Sequence, residues 1–459
     1  MSQNSVSTDQ IASGRETPAR RSGMLGVAAA ALVGSALEWY DFYLYGTAAA
    51  LVFNKIIFTN SNPTLATLAA FATFAVGYFI RPVGGLIFGR MGDVLGRKRV
   101  LVITLIVMGS ATVLMAFLPT YAQAGIWSPI LLVILRLIQG LGAGAEFGGA
   151  AIFSVEHANP RRRGLHGAWP STGVYLGLLL AAGVFAIVTQ LPEAQFLAWG
   201  WRIPFAASIV VIVVALIIRV RLAESPAFLE MRAVEKAPAA PIKEAFAREK
   251  LSMLVLICVQ TPQNVVSSIN LAFITAYLAG TLKLSNSIGP VAVTVGTAVV
   301  LVVLPLFGAL SDKIGRRPVM LIGMVFSALF AFPYFWIIDG ARTPVAITIA
   351  IVVSLGIGIG AMFGPQAAYF SELFTAGSRF TGLAFSRELA GALSAGVTPL
   401  IAVALVALGG GSPWLVSLFI IGACLVGIVA VSLGKETRGR SMQATTVAEL
   451  TASTGTFRD

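Results

Sequence analysis

Charged and metal-binding side chains are scarce in this sequence. Asp, Glu, Lys and Arg make up 11% of the 459 residues, whereas soluble domains carry roughly 25%. Cys258 and Cys424 lie in separate apolar stretches, and the two histidines, His157 and His166, flank a basic segment. The sequence therefore indicates no disulfide framework and no metal site, and it shows no nucleophile or cofactor constellation typical of an enzyme.

Long apolar runs dominate instead, since hydrophobic residues account for 57% of the chain. A membrane-spanning helix needs about 20 predominantly apolar residues. The runs predict an all-α membrane protein with twelve transmembrane helices in two pseudo-symmetric six-helix bundles. The predicted helices are 24–53, 64–89, 100–119, 128–154, 164–190, 202–222, 251–280, 288–310, 318–338, 344–370, 380–408 and 412–434.

The predicted organisation has five parts. They are an N-terminal tail (1–23), a first bundle (24–222), a charged linker (223–250), a second bundle (251–434) and a C-terminal tail (435–459). The run after residue 23 lacks a convincing cleavage site, so we interpret it as the first helix and not as a signal peptide. The tail after Arg440 is rich in Ser and Thr, and we expect it to be disordered.

The basic residues indicate the orientation in the membrane. The formal net charge is +12, but these charges lie in short loops and tails, which argues against a nucleic-acid partner. They concentrate in one set of loops, such as 97–99, 161–163 and 313–317, and in both tails. The positive-inside rule then predicts cytosolic termini in a cell-membrane protein. We expect a monomer in the lipid bilayer.

One glycine-rich pattern occurs in both halves. Gly-x-x-x-Asp-x-x-Gly-Arg-(Lys/Arg) starts at Gly89 and again at Gly308. Glycine allows a tight turn and close backbone approach, and the acid can cap or salt-bridge the start of the next helix. The predicted gating-loop residues are Gly89, Asp93, Gly96, Arg97, Gly308, Asp312, Gly315 and Arg316.

Several ionisable residues lie inside predicted spans, where they are costly and therefore functional candidates. In the first helix, Glu38 and Asp41 share one face with Tyr45. At about 1.5 Å per residue, Arg136 on the fourth helix has nearly the depth of Asp41. We predict a buried pair of Asp41 or Glu38 with Arg136. The alternative is a static ion pair that locks helix packing.

A second set of charges lies closer to the basic loops. Arg81 and Glu146 have similar predicted depths, and we predict that they form a second pair. In the eleventh helix Glu388 adds a buried charge, and we predict that Arg387 is a snorkelling or gate residue. For Arg81, Glu146 and Glu388 the sequence leaves open whether the role is functional or structural.

Two features resemble the major facilitator superfamily: the repeated glycine motif and Leu135-Arg136-Leu137-Ile138-Gln139-Gly140. Further stretches look like its metabolite:proton symporter branch, with members that take up shikimate, dicarboxylates, aromatic acids, or proline and betaine. These stretches are Glu38–Phe42, Arg81–Gly85, Gly144–Ala150 and Trp199–Phe205. In this family, the glycine-rich loops are thought to hold the two halves together in one state of alternating access.

The resemblance implies proton-coupled uptake of a small organic acid, driven by the proton gradient without a cofactor or metal. It places the usual acids of the family at Asp41 and Glu146. From its position near mid-membrane we predict Asp41 as the coupling acid, with Glu38 as assistant and Glu146 as a relay on the cytosolic side. The alternatives are a proline/betaine-type symporter, an exporter or uncoupled facilitator, and a membrane sensor. The coiled-coil tail of the osmolyte carriers is missing, and helix 5 lacks the proline of the antiporter motif.

The seventh helix, which corresponds to the first, carries amides where the first carries acids. We therefore predict that the first half handles charge and the proton, while the second half helps to recognise substrate hydroxyls or a ring. Ordinary polar packing between helices is the alternative. The predicted substrate-binding residues are Arg136, Gln139, Tyr45, Trp169, Tyr175, Gln263, Asn264, Gln366 and Tyr369.

Overall fold

The computed structural model describes residues 24–58, 72–73, 76–221, 224, 246, 249–285, 287–376, 378–440 and 442. The predicted N-terminal tail and most of the predicted linker 223–250 lie outside these residues. The long helices within them are labelled in chain order. They are α1 (Met24–Ala48, continued by Ala49–Phe53 and Asn54–Ile56), α2 (Arg81–Leu95), α3 (Arg97–Met115), α4 (Trp127–His157), α5 (Pro160–Val188), α6 (Arg202–Val220), α7 (Lys250–Thr281), α8 (Ile288–Ile314), α9 (Arg316–Ala341), α10 (Pro344–Leu373), α11 (Arg379–Leu408) and α12 (Trp414–Leu433).

Hydropathy explains why most of these helices form where they do. Over the described ranges, ten of them, α3 to α12, are long and apolar enough to cross a membrane. The remaining two are α1, which carries two buried acids, and α2, which is described over 15 residues. The architecture is the predicted all-α membrane fold, with an N half from α1 to α6 and a C half from α7 to α12.

Glycines set the distance between the halves. Helix α5 packs against α8, and α2 packs against α11. A Cβ atom at Gly164 would lie 2.3 Å from the carbonyl oxygen of Gly308, and one at Gly308 would lie 2.6 Å from that of Gly164. A Cβ at Gly89 would lie 2.8 Å from the Cα of Thr381. Any larger residue at these positions would push the halves apart.

The two glycine-rich motifs differ from the predicted turns. Helix α2 continues to Leu95 and α8 to Ile314, so both predicted helices ended too early. The chain then reverses at a single glycine in the left-handed region, Gly96 with φ 104° and Gly315 with φ 106°. Arginine and lysine are good helix formers, so the loss of hydrophobicity after Gly89 and Gly308 did not mark the end of either helix.

Helices α4 and α10 are each interrupted near the middle of the bundle. In α4, Gly144 and Ala145 separate Trp127–Ala143 from Glu146–His157. In α10, Gly364 and Pro365 separate Gly360–Phe363 from Gln366–Leu373. Glu146 and Gln366 are therefore the first residues after equivalent breaks in the two halves.

Candidate functional site

A chain of hydrogen bonds joins Arg136 to Asp41 inside the N half. Arg136 donates to Oε1 of Gln139, and Gln139 Nε2 donates to Thr112 Oγ1 over 2.8 Å. Thr112 Oγ1 in turn donates to Asp41 Oδ2 over 2.6 Å. Ser208 also donates to Asp41, over 3.3 Å. Only 1% of Asp41 and 2% of Arg136 is exposed, so the chain is shielded from solvent.

The predicted direct pairing of Arg136 with Asp41 or Glu38 is wrong. Arg136 instead lies over aromatic rings, with its Cζ 4.1 Å from the centroid of Tyr45 and 5.6 Å from that of Phe42. A cation over a desolvated aromatic face is stabilised by the ring quadrupole. The pair was predicted because Arg136 and Asp41 have similar depths in the membrane. Which groups meet also depends on the direction in which each side chain leaves its helix.

A second buried network crosses between the halves. Arg81 Nη1 lies 2.9 Å from Oε1 of Glu38 and 3.6 Å from Oε2 of Glu388. Arg387 pairs with the other oxygen of Glu388, and its Cζ lies 3.8 Å from the ring centroid of Phe147. The formal charges of the four ionisable groups cancel, which reduces the cost of burying them.

Glu146 has a partner that the sequence did not suggest. The predicted pair with Arg81 is wrong, because Glu146 pairs with Arg219 and accepts from Thr104 over 2.9 Å. Arg219 belongs to the last turn of α6, where a basic residue is expected to reach the membrane surface. Here its guanidinium turns inward and also donates to the carbonyl oxygen of Leu101 over 2.6 Å.

Neutral polar side chains form a corresponding network in the C half. Gln260 donates to Gln263 over 2.9 Å and to Asn264 over 3.0 Å. Asn264 donates to Ser394 over 2.8 Å. Another polar pair spans the halves, since the hydroxyl of Tyr175 lies 3.3 Å from that of Ser267. These contacts bring Tyr175, Gln263 and Asn264 to one region, as the substrate-site prediction requires.

Three other predicted substrate residues, Trp169, Gln366 and Tyr369, make none of these hydrogen bonds. Gln366 is fully buried, and neither its amide oxygen nor its nitrogen has a hydrogen-bond partner within the described part of the chain. An unsatisfied buried polar group costs about 1–3 kcal/mol, so Gln366 is suited to meet a ligand. Tyr369 lies away from this region, because its hydroxyl contacts the end of α12 beside Gly434. Trp169 is half-buried.

The motif aspartates each cap a helix of the opposite half. Asp93 accepts from the backbone nitrogens of Phe380 and Thr381 over 3.2 and 3.0 Å, and from the Thr381 hydroxyl over 2.7 Å. Asp312 accepts from the nitrogens of Gly164 and Leu165 over 2.7 and 2.9 Å. A negative charge is favourable at a helix N-terminus. The acids therefore cap α11 and α5 and not the next helix, whereas the predicted salt bridge to the start of the next helix forms in both motifs, from Asp93 to Arg97 and from Asp312 to Arg316.

Charged residues around these caps form two pseudo-symmetric networks, which together are called the clasp. Its members are Asp93, Arg97 and Glu156 in one network and Asp312, Arg316 and Glu372 in the other. Arg97 lies 3.6 Å from Asp93 and 3.7 Å from Glu156. In the other half, Arg316 lies 2.7 Å from Asp312 and 3.4 Å from Glu372. Four residues here were not among the predicted site residues, although two are acids at the ends of the equivalent helices α4 and α10 and two are arginines near the starts of α5 and α11. These four residues are Glu156, Arg163, Glu372 and Arg379.

Two further acids brace the clasp from the ends of α6 and α12. Glu224 accepts from the backbone nitrogens of Arg97 and Lys98, the first over 3.0 Å. Glu436 accepts from those of Arg316 and Arg317, both over 3.0 Å. Burial opposes ionisation of Glu436, but the backbone N–H donors around it outweigh burial and hold the pKa of its carboxyl below the ordinary value.

Loss of one motif acid should slow turnover. Asp93→Asn keeps an oxygen acceptor but removes the charge that faces α11 and Arg97. We expect turnover to fall roughly tenfold, which corresponds to about 1.4 kcal/mol, with a smaller change in substrate affinity. Transport and binding by the purified variant measure the two effects. Asp312→Asn is the pseudo-symmetric counterpart and should behave similarly. If either variant transports normally at normal expression, the clasp does not hold the two halves together during the transport cycle.

Comparison with known proteins agrees with this architecture. The family model of the Major Facilitator Superfamily matches residues 31–386 and 263–456. The Escherichia coli K12 shikimate transporter is 36% identical over 409 residues, which cover 88% of this chain and 93% of that protein. The inner membrane metabolite transport protein YhjE of that organism is 36% identical over 421 residues, 91% and 95% of the two chains.

Other comparisons extend the range of relatives. The E. coli K12 proline/betaine transporter is 33% identical over 429 residues, 91% of this chain and 85% of that protein. The solved structure of the proton:xylose symporter XylE, bound to 6-bromo-6-deoxy-D-glucose, has a TM-score of 0.74 at 18% identity. That match covers 91% of this chain and 97% of the other, and it shows the shared fold.

The structure and the comparisons lead to the same conclusion. Two six-helix halves meet along glycine-lined surfaces, with buried charge in the N half and neutral polar groups in the C half. Sites at the interface of paired halves are typical of secondary transporters. The chain belongs to the major facilitator superfamily and is a multi-pass membrane transporter of small molecules, not an enzyme.

Proposed function

We propose that this protein is a secondary active symporter that couples proton entry to uptake of a small organic anion by alternating access. The observation that carries the proposal is the buried chain from Asp41 through Thr112 and Gln139 to Arg136. It connects a group that can gain a proton with a cation that can bind a carboxylate. Glu38, Asp41 and Arg136 line the same small polar cavity.

Protonation of Asp41 alters this chain at its first link. Ionised Asp41 accepts a hydrogen bond from the Thr112 hydroxyl, and the neutral acid accepts this bond less strongly. Thr112 has an alternative acceptor, the carbonyl oxygen of Met108 at 3.1 Å. If the Thr112 hydroxyl turns from Asp41 to Met108, its hydrogen bond with Gln139 changes. The hydrogen bond between Gln139 and Arg136 then changes as well. Coupling therefore passes through neighbouring groups.

Arg136 supplies the binding group for the substrate. A guanidinium offers a planar fork that matches a carboxylate in two hydrogen bonds. With Asp41 protonated and the site open outward, Arg136 takes the substrate carboxylate. After the site opens inward, loss of the proton restores the ionised chain and favours release. Glu38 assists from its pair with Arg81, and Glu146, which pairs with Arg219, serves as a relay on the cytosolic side.

The aromatic residues around this site favour an anion over a quaternary ammonium compound. A betaine-like headgroup needs free aromatic faces. Here Arg136 covers Tyr45, and Arg81 lies 5.2 Å from the ring centroid of Phe42 and 5.1 Å from that of Tyr78. The similarity to a shikimate transporter supports a hydroxylated acid. Gln139, Tyr175, Gln263, Asn264 and Gln366 are suited to bind its hydroxyls.

The orientation follows from the loop charges. The helix ends around Gly96 and Gly315 carry Lys98, Arg99, Lys313 and Arg317, and they lie at one end of the bundle, here termed the basic end. We place this end and both termini on the cytosolic side of the cell membrane. The protein works as a monomer, and the proton gradient drives it without a cofactor or a nucleic-acid partner.

Uptake by reconstituted liposomes tests the proposal. The panel contains labelled shikimate, a dicarboxylate, an aromatic acid, proline and glycine betaine, each with and without an inwardly directed proton gradient. We expect one of the acids to accumulate only with the gradient, and dissipation of the gradient by an ionophore to abolish accumulation. Accumulation of betaine, or equal uptake without a gradient, would contradict the proposed substrate class or the proton coupling respectively.

A further inference from the structure

We propose that the segment after α12 is a strap that holds the two halves closed at the basic end. The strap comprises Gly434–Arg440 and Met442. It contacts the ends of helices from both halves, beside the clasp but separate from the motif acids. The inference requires alternating access alone, and it holds whether or not the substrate and the proton coupling are as proposed above.

Polar contacts attach the strap to the C half. The hydroxyl of Thr437 donates to Glu372 Oε2 over 2.7 Å, and Arg440 Nη1 donates to the Glu372 carbonyl oxygen over 3.2 Å. Arg379 Nη2 donates to the carbonyl oxygen of Met442 over 3.2 Å. Glu372 and Arg379 end α10 and begin α11, so the strap lies across the junction of these helices.

The same segment reaches the N half. Arg163, at the start of α5, donates through Nη1 to the carbonyl oxygen of Arg440 over 2.6 Å. The side chain of Met442 is 4% exposed and packs in one cluster with Val155 of α4 and Ala368 of α10. Met442 therefore lies between the basic ends of α4 and α10, which belong to opposite halves.

This position gives the strap a role in the transport cycle. Opening at the basic end separates α4 from α10 and α5 from α8. Met442 cannot then keep its contacts with both Val155 and Ala368, and Arg440 loses its hydrogen bond from Arg163. The strap is anchored mainly to the C half, so the contacts to the N half are those that break. The strap thus stabilises the closed state and limits how often the basic end opens.

Spin-label distances test the strap without any substrate. Arg99→Cys and Lys313→Cys place labels on exposed positions of opposite halves, in a background with Cys258→Ala and Cys424→Ala. Double electron–electron resonance on the protein in nanodiscs then measures the distance between the two labels. We expect Met442→Ala to raise the population at long distance several-fold. Met442→Asp should raise it further, because a charged side chain resists burial.

A matched control separates the strap from general disturbance of α12. Leu433 ends α12 with a relative exposure of 82%, so Leu433→Ala should leave the distance distribution unchanged. The proposal is overturned if Met442→Ala and Met442→Asp both give the distribution of the parent protein, or if Leu433→Ala opens the basic end equally. Either result leaves the transport proposal intact, because the measurement involves neither substrate nor proton gradient.

Discussion

Asp41→Asn is expected to abolish accumulation of substrate driven by a pH gradient while retaining part of substrate exchange. Asparagine has nearly the size of the acid and resembles its protonated form, so the site should still bind and move substrate. It cannot release a proton, however, and the hydrogen bond from Thr112 is no longer made to a charge. The measurement compares gradient-driven uptake with counterflow in liposomes that contain the same amount of protein.

Two control variants show whether the carboxyl itself is responsible. Ser208→Ala removes the longer hydrogen bond to Asp41, at 3.3 Å, and should leave coupling largely intact. Thr112→Val keeps the shape but removes the hydroxyl that joins Asp41 to Gln139. It should lower the ratio of substrate to protons moved without abolishing transport. If Asp41→Asn still concentrates substrate with only a proton gradient supplied, the coupling role passes to Glu38 or Glu146.

Structural surroundings distinguish Asp41 from the other acids. Glu38 has Arg81 as a direct partner, and Glu146 has Arg219. Asp41 receives its hydrogen bonds from the neutral hydroxyls of Thr112 and Ser208, while Arg136 acts on it through Gln139 and Thr112. A carboxylate held by neutral donors changes its protonation at lower cost than one held in a direct ion pair. This comparison favours Asp41 as the coupling acid.

Arg136→Lys should have the second largest effect. Lysine keeps the positive charge but loses the planar fork, the stacking over Tyr45 and the bond to Gln139. A hydrogen bond to a charged group contributes about 1.5–3 kcal/mol, so loss of one should weaken substrate binding roughly 10- to 100-fold. Binding to the purified protein, measured by calorimetry, gives the affinity directly.

The control for this change is Arg99→Lys, the same substitution at an exposed position at the basic end. It should leave both binding and transport unchanged. A more informative comparison is with an uncharged analogue of the substrate that lacks the carboxylate. If Arg136 binds the carboxylate, the variant should lose affinity for the acid but not for the analogue. Normal binding of the acid by Arg136→Lys would exclude Arg136 as its partner.

The sequence by itself determined the class of the protein, the number of helices and the residues worth examining. Hydropathy is a property of each segment alone, so the twelve runs were recognisable without knowledge of packing. The same holds for the repeated motif and for acids inside apolar runs, such as Glu38 and Asp41. The acids inside the apolar runs, Glu38, Asp41, Glu146 and Glu388, are all buried in the structure, as expected for charged residues that are costly to expose to lipid.

Only the tertiary structure decided which of these residues meet. Asp93 accepts a hydrogen bond from the backbone of Phe380, which lies 287 residues later in the chain, and no local pattern encodes such a contact. The position of a residue along its helix gives its depth in the membrane. The direction of its side chain depends on the rotation of the helix and on breaks such as Gly144–Ala145. For this reason Arg136 reaches Asp41 through Gln139 and Thr112, and Glu146 faces Arg219. Partner choice depends on how whole helices pack, which is a property of the assembled halves.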